Sequence, residues 1–243
     1  MTMGSDKRGE KFFLISAILY AIVVFFAFSN QFYLRPFSNR GPLSWSLIIH
    51  GTIFSTWYLA FIWQALLVSK GKLLNHQRLG RFWSIFALAV LFSGLAMLYD
   101  VLREYYEFGT RSFGISGFVW GNLLILLSFL AYLVLGYSFR NKPVLHKRFF
   151  LLASLSLLGP ALGRVGRYPL MRIYESRMMN DTLYIVAGTF LLIISLLVYD
   201  LIKMKKPSWA TFIGLAWFFA SNAILVWTET SGWGMAAIEL LRH

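Results

Sequence analysis

The 243-residue sequence contains no cysteine, and only 14% of its residues are charged. The absence of cysteine excludes disulfide bonds, thiolate metal sites, thiolate-ligated haem and iron–sulfur clusters. Soluble domains are usually about half apolar and about a quarter charged, whereas this chain is 58% hydrophobic with a mean hydropathy of +0.63. The composition therefore indicates an integral membrane protein.

Several signatures of enzymes and transporters are also missing. The chain has no His-x-x-x-His or Glu-x-x-His spacing, no acidic cluster and no glycine-rich nucleotide loop. No lysine lies in the middle of the last long apolar run, so nothing supports a retinal Schiff base. Asp100 and Asp200 each follow a tyrosine near the end of an apolar run, and we expect both to be solvated.

Long apolar runs predict an all-α membrane fold with seven transmembrane helices in one domain, residues 1–243, and a four-helix core of helices 2–5. A run of about 18 or more apolar residues is long enough to cross a bilayer. The predicted spans are 11–33, 43–69, 79–102, 117–139, 147–163, 182–203 and 208–228. The first run has no small-residue cleavage site, which favours a true span over a signal peptide. A short amphipathic tail, 232–243, follows the last span.

The formal charge of +13 is concentrated in the loops that follow helices 2, 4 and 6. Lysine and arginine near helix ends favour the cytoplasm, so the N-terminus is predicted to be cytoplasmic and the C-terminus outside. Anionic membrane lipid, and not nucleic acid, is the expected partner of these basic loops. The expected location is the bacterial inner membrane.

Two of the basic loops lead into a His-x-Arg motif, at 76–78 before helix 3 and at 146–148 before helix 5. This weak repeat suggests two parallel hairpins related by a pseudo-two-fold axis along the membrane normal. The repeat places His76 and His146 at the same depth in the bundle. Two opposed neutral imidazoles are what a six-coordinate b-type haem needs as axial ligands.

The residues around the two histidines suit a haem. Gly80 lies one turn after His76 and leaves room for a flat ring, and Arg78 and Arg148 are candidate partners for the propionates. Two alternatives stay open from the sequence. In the first, the histidines are interfacial residues that bind lipid phosphate or backbone carbonyls. In the second, they hold a non-haem metal or another ligand.

A second group of polar residues is predicted nearer the other side of the membrane. His50, Trp57 and Gln64 recur every seven residues and so form one stripe on helix 2. The stripe is interpreted either as the lining of a pocket or quinone site, or as polar side chains that hydrogen-bond between helices. Arg164 lies in a segment rich in glycine and proline, 159–167, where it either binds an anionic group or snorkels to the surface.

The order of these motifs resembles a group of predicted bacterial membrane proteins that share a His…Gln…His-x-Arg-Leu-Gly-Arg core and a later His-x-Arg. The resemblance covers about residues 50–165 and supplies no activity. More distantly, the layout resembles the two-haem transmembrane cytochromes b that carry electrons from ascorbate. In that family four consecutive helices hold two haems, and His76 and His146 match the second-and-fourth pair of ligands. His50 matches one ligand of the other pair, but its partner position falls near Trp120, so the resemblance does not imply a second haem.

We interpret the sequence as a b-type haem protein of the membrane that transfers electrons, with His76 and His146 as iron ligands. Quinone or a redox partner protein is the candidate for electron exchange. One rival is a haem-free membrane enzyme or transporter that uses His50, Gln64 and Arg164 to hold a small anionic or lipid substrate. Another is a structural subunit of a larger membrane complex.

Overall fold

The computed structural model describes residues 7–109 and 114–242, with side chains from residue 11 onward. The regular structure of these residues is helical throughout, which confirms the all-α prediction. The terminal His243 of the predicted tail lies outside the described residues. The α-helices are α1 Lys7–Phe28, α2 Trp45–Ser69, α3 Leu73–Phe108, α4 Ile115–Ser138, α5 Pro143–Ser156, α6 Gly159–Val165, α7 Arg177–Met204, α8 Trp209–Thr230 and α9 Trp233–Leu240.

Within the described part of the chain, six helices are long and apolar enough to cross a membrane. They are α1 with its continuation to Tyr33, α2, α3, α4, α7 and α8. A seventh span results if α5 and α6 are counted together, because the two pass the same test as a pair bent by 51°. The chain is therefore an all-α integral membrane protein.

The bend between α5 and α6 lies where the sequence places proline. Proline lacks an amide N–H, and its ring collides with the carbonyl four residues earlier in a continuous helix. For Pro160 that carbonyl belongs to Ser156, which is the last residue of α5. A new helix begins at Gly159, with Pro160 in its first turn. The predicted helix 147–163 is thus two segments.

Two helices begin earlier than the sequence predicted, and this changes where the histidines lie. α3 begins at Leu73 and not at residue 79, after a turn in which Gly71 has a φ of +70°. α5 begins at Pro143 and not at residue 147, because proline is favoured in the first turn of a helix. Both histidines therefore lie inside helices and not in the loops before them.

The predicted hairpins are present: α2 packs on α3, and α4 packs on α5. Contacts between α3 and α4 join the two hairpins, while α1 lies against α2, α5 and α6. α8 packs on α4 and α7. The loops 70–72, 139–142 and 205–208 lie at the same end of the bundle, because His76 contacts His146 and Asp200 contacts both Arg148 and Ser208. We call this the basic end.

Candidate functional site

His76 and His146 occupy equivalent positions at the basic end. Each is the fourth residue of its helix, α3 or α5. Each donates its backbone N–H to the carbonyl of the lysine before the helix, Lys72 or Lys142, at 3.0 Å. The His-x-Arg repeat thus corresponds to two helix beginnings of the same local geometry.

The two imidazole rings, one from each hairpin, lie close together. Their centroids are 6.0 Å apart and their planes are nearly perpendicular, at 85°. Nδ1 of His146 lies 2.8 Å from the carbonyl oxygen of Gly136 on α4. Because a carbonyl only accepts, Nδ1 carries the hydrogen and Nε2 keeps its lone pair, which is the usual arrangement of a ligating histidine.

Several buried polar atoms without hydrogen-bond partners lie on α2 and α3, the hairpin that carries His76. Among the described residues five buried side-chain N or O atoms lack a partner, and four of them belong to His76, Gln64 and Trp83. They are Nδ1 of His76, Nε1 of Trp83, and both amide atoms of Gln64. An unsatisfied buried polar group costs about 1–3 kcal/mol, so such a cluster is typical of a site completed by a ligand.

Gly80 connects these residues into one site. It lies four residues after His76 and three before Trp83, so the three share one face of α3. A Cβ at Gly80 would have only the Gln64 side-chain oxygen within 4 Å, at 3.5 Å. Open space therefore lies beside Gly80. We call His76, His146, Gln64, Gly80 and Trp83 the histidine site.

The two arginines predicted as propionate partners differ in their surroundings. Arg78 is exposed on the second turn of α3, close in sequence to His76. Arg148 is only 1% exposed, and its Nε and Nη2 both donate to Asp200 of α7, while Nη1 donates to the carbonyl of Val144 at 2.7 Å. All three guanidinium nitrogens of Arg148 thus bind groups within the protein. Of the two arginines, only Arg78 is left to pair with a propionate.

Asp200 is buried, contrary to the expectation from the sequence. The sequence suggested a solvated carboxylate, but Asp200 has no exposed surface. Its Oδ2 accepts from the backbone N–H of Ser208 at 2.9 Å and from the hydroxyl of Thr211 at 2.6 Å. The carboxylate is buried because α8 folds back over the end of α7 and supplies these donors. Nothing in the local sequence around Asp200 distinguishes it from Asp100.

The predicted stripe on α2 does not form one pocket. Gln64 belongs to the histidine site, whereas Trp57 is buried and donates to the hydroxyl of Ser154 on α5 at 3.3 Å. His50 lies fourteen residues before Gln64, about 21 Å along a continuous helix. Seven-residue spacing fixes the shared face of a helix, but the residues on that face meet different neighbours at different depths.

Arg164 and His50 lie at the end opposite to the basic end. The ring of His50 is 3.2 Å, through Nδ1, from the carbonyl of Ser93. Arg164 is close enough to His50 to act on it electrostatically, and its Nε donates to the side chain of Gln31 at 3.2 Å. The guanidinium also lies 4.4 Å from the centre of the Phe28 ring. Arg164 thus points back into the bundle.

Gln31 is a residue that the sequence analysis missed. It belongs to a π-helical turn, Ser29–Tyr33, at the end of α1. This turn directs Tyr33 to the hydroxyl of Ser55 at 2.6 Å and packs Phe32 against Gly51 of α2. Such turns are frequent at functional sites, but no sequence pattern distinguishes this one from the apolar helix before it.

The composition of the histidine site limits the kind of metal it suits. Among the side chains of residues 11–109 and 114–242, no three of His, Asp or Glu are grouped closely enough to hold a metal ion. Structural zinc needs four protein ligands and catalytic zinc three. Two opposed histidines suit a metal that brings its other ligands with it, as haem iron does.

Comparison with other proteins gives no further information. No model of a known family matches the chain, and neither a curated protein nor a solved structure matches it.

Proposed function

We propose that the protein is a b-type haem protein that transfers electrons in the membrane, and that His76 and His146 are the residues that would hold the haem iron. The separation of the two imidazole rings carries this proposal. If both imidazoles held one metal ion through nitrogen, their ring centres would lie about 6.2 Å apart, given metal–nitrogen bonds of about 2.0 Å and about 1.1 Å from each nitrogen to its ring centre. In the structure the two ring centroids are 6.0 Å apart.

The remaining residues of the site fit the same group. The Gly136 carbonyl holds the proton of His146 on Nδ1 and so leaves Nε2 for iron. The open space at Gly80 would give room for the haem ring. The unpartnered atoms of Gln64 and Trp83 would supply hydrogen-bonding groups next to it. Arg78 is the available partner for a propionate.

Haem iron supplies one-electron chemistry at a potential set by its ligands, its hydrogen bonds and its burial. The chain contributes orientation and exclusion of water: α4 fixes His146, and the aromatic ring of Phe150 lies 4.8 Å from that imidazole. The site lies at one end of the bundle, where a membrane quinone or a redox protein can approach. We propose one of these as the electron partner.

An optical spectrum tests the proposal directly. The protein is purified from haem-replete cells, and spectra are recorded before and after reduction with dithionite. We expect a sharp reduced α band of b type and stoichiometric haem. His76→Ala and His146→Ala should each lose the pigment while circular dichroism shows an intact helical fold.

Two results would overturn the haem assignment. One is a colourless protein from haem-replete cells. The other is full pigment in either histidine variant. The matched control is His50→Ala, which removes an imidazole from the same membrane bundle at the opposite end and should keep the spectrum unchanged.

A further inference from the structure

The hairpin of α2 and α3 has an open groove on its surface at the basic end. The groove has a volume of about 370 Å³ and an apolar floor formed by Trp63, Leu66, Leu67 and Leu79. Trp63 is 56% exposed, and tryptophan is enriched where a protein meets the membrane–water interface. The floor therefore suits a hydrocarbon chain.

The rim of the groove is basic. The short loop between α2 and α3 contains Lys70, Gly71 and Lys72, and both lysines line the groove together with Asn75. Both lysines are exposed, and neither takes part in an ion pair among the described residues. The rim therefore presents two cations and an amide beside an apolar floor.

We propose that this groove binds an anionic phospholipid. Its phosphate contacts Lys70, Lys72 and Asn75, and an acyl chain lies on the apolar floor. Charge complementarity selects the occupant: a basic rim at the end of two membrane spans meets anionic headgroups, and each lysine near such a surface contributes about 1 kcal/mol. A soluble phosphate would use the rim alone and would leave the floor uncovered.

The groove adjoins the histidine site without being part of it. Trp63 precedes Gln64 on α2, and Leu79 precedes Gly80 on α3, so the groove and the histidine site occupy neighbouring faces of the same hairpin. A bound lipid stabilises the first turn of α3, which contains His76. The lipid proposal rests on the groove alone and stands whether or not haem binds.

The test uses the full-length protein in detergent after lipid is removed. Native mass spectrometry and thermal shift follow the addition of phosphatidylglycerol, phosphatidylcholine, or inorganic phosphate as a soluble source. Lys70→Gln/Lys72→Gln is compared with Lys205→Gln/Lys206→Gln, which removes two charges from another loop at the basic end. Trp63→Ala tests the floor.

We expect phosphatidylglycerol to bind at least about tenfold more tightly than phosphatidylcholine, and Lys70→Gln/Lys72→Gln to weaken that binding by about 10- to 30-fold. Lys205→Gln/Lys206→Gln should change the binding of phosphatidylglycerol by no more than about twofold. Trp63→Ala should weaken the binding of phosphatidylglycerol but not that of inorganic phosphate. Equal losses in the two double variants would overturn the proposal, since they would show attraction by bulk charge. Equal binding of the two lipids, or saturation by inorganic phosphate, would also overturn it.

Discussion

Arg148 on α5 donates through Nε to Oδ1 of Asp200 on α7 at 2.9 Å, with both residues buried. The carboxylate also accepts from the backbone of Ser208 and the hydroxyl of Thr211 at the start of α8. One ion pair thus joins three helices at the basic end. Because Arg148 lies two residues after His146, the pair also fixes the segment that presents this imidazole.

Removing one partner of this pair should destabilise the protein strongly. Asp200→Asn leaves the Arg148 guanidinium buried without a counter-ion, and breaking a buried pair in this way costs about 3–5 kcal/mol. Arg148→Met leaves the carboxylate uncompensated and should cost a similar amount. Thermal unfolding in detergent, followed by circular dichroism, measures both changes.

A second pair provides the matched control. Arg103 and Glu107 form an exposed ion pair on α3, with side chains 58% and 50% exposed. Glu107→Gln should change the free energy of unfolding by no more than about 1 kcal/mol. The double variant Arg148→Met/Asp200→Leu should be more stable than either single variant, because no charge is left buried. A wild-type melting temperature for Asp200→Asn would contradict the assigned role.

Gly80→Ala should separate the stability of the fold from the binding of the cofactor. In the protein alone the added methyl group meets only Gln64 Oε1, at an ordinary contact distance of 3.5 Å. Alanine is also favoured over glycine in a helix by about 1 kcal/mol. Without haem, the variant should therefore melt at the same temperature as the haem-free wild type or higher. Purified from haem-replete cells, it should contain less haem than the wild type, because the methyl group occupies space beside the haem ring.

Gly94 on the same helix supplies the opposite case. A Cβ there would lie 2.6 Å from the side chain of Leu126, which is buried in the core. Gly94→Ala should lower the melting temperature by overpacking and should keep the haem content of the folded fraction. Full haem content in Gly80→Ala, measured by the pyridine haemochromogen assay, would show that the haem does not lie beside Gly80.

Gly136→Ala should disturb His146 from its other side. The added methyl group would lie 2.7 Å from the ring of Phe150, and that ring packs 4.8 Å from the imidazole of His146. The ring or the helix must move, so we expect lower haem content or a shifted reduced α band. Gly121→Ala on the same helix meets only Leu225, at 3.8 Å, and should leave the spectrum unchanged.

An identical spectrum in Gly136→Ala and Gly121→Ala would contradict this prediction. It would show that the contact between Phe150 and His146 does not position the imidazole. Both variants add one methyl group to α4, so a difference between them reflects the site and not helix propensity.

Much of the fold follows from simple features of the sequence. Long apolar runs predict the membrane helices, and Pro160 explains the interruption between α5 and α6. The facing of His76 and His146 follows the repeated His-x-Arg motif, because each motif lies at the start of a helix in a hairpin. The boundaries were less accurate: the short turns at Gly71 and before Pro143 let helices begin earlier than hydropathy alone indicates.

The partners of polar residues did not follow from the sequence. Spacing placed Gln64 and His50 on one face of α2, but depth separates them. Arg148 looked equivalent to Arg78, yet the carboxylate that engages it lies 52 residues later on another helix. Such pairings depend on which helices pack together, and a single sequence contains no signal for that.

His50 tests whether the two ends of the bundle act separately. It lies about 21 Å from Gln64 along α2, with its ring beside Phe54 and near Arg164. His50→Phe removes the imidazole, keeps an aromatic ring of larger size, and should leave haem content and the reduced spectrum as in the wild type. The loss of the contact with Ser93 should cost about 1 kcal/mol of stability.

The opposite outcome is equally informative. If His50→Phe loses the pigment as completely as His76→Ala, while circular dichroism shows an intact fold, His76 and His146 are not sufficient to hold the haem. Arg164→Gln then distinguishes the cause. It keeps a hydrogen-bonding side chain near Gln31 but removes the positive charge, so pigment loss in this variant too would assign the cofactor to the His50 end. Retention would indicate that His50 acts through the packing of α2 on α3, which carries Gly80 and His76.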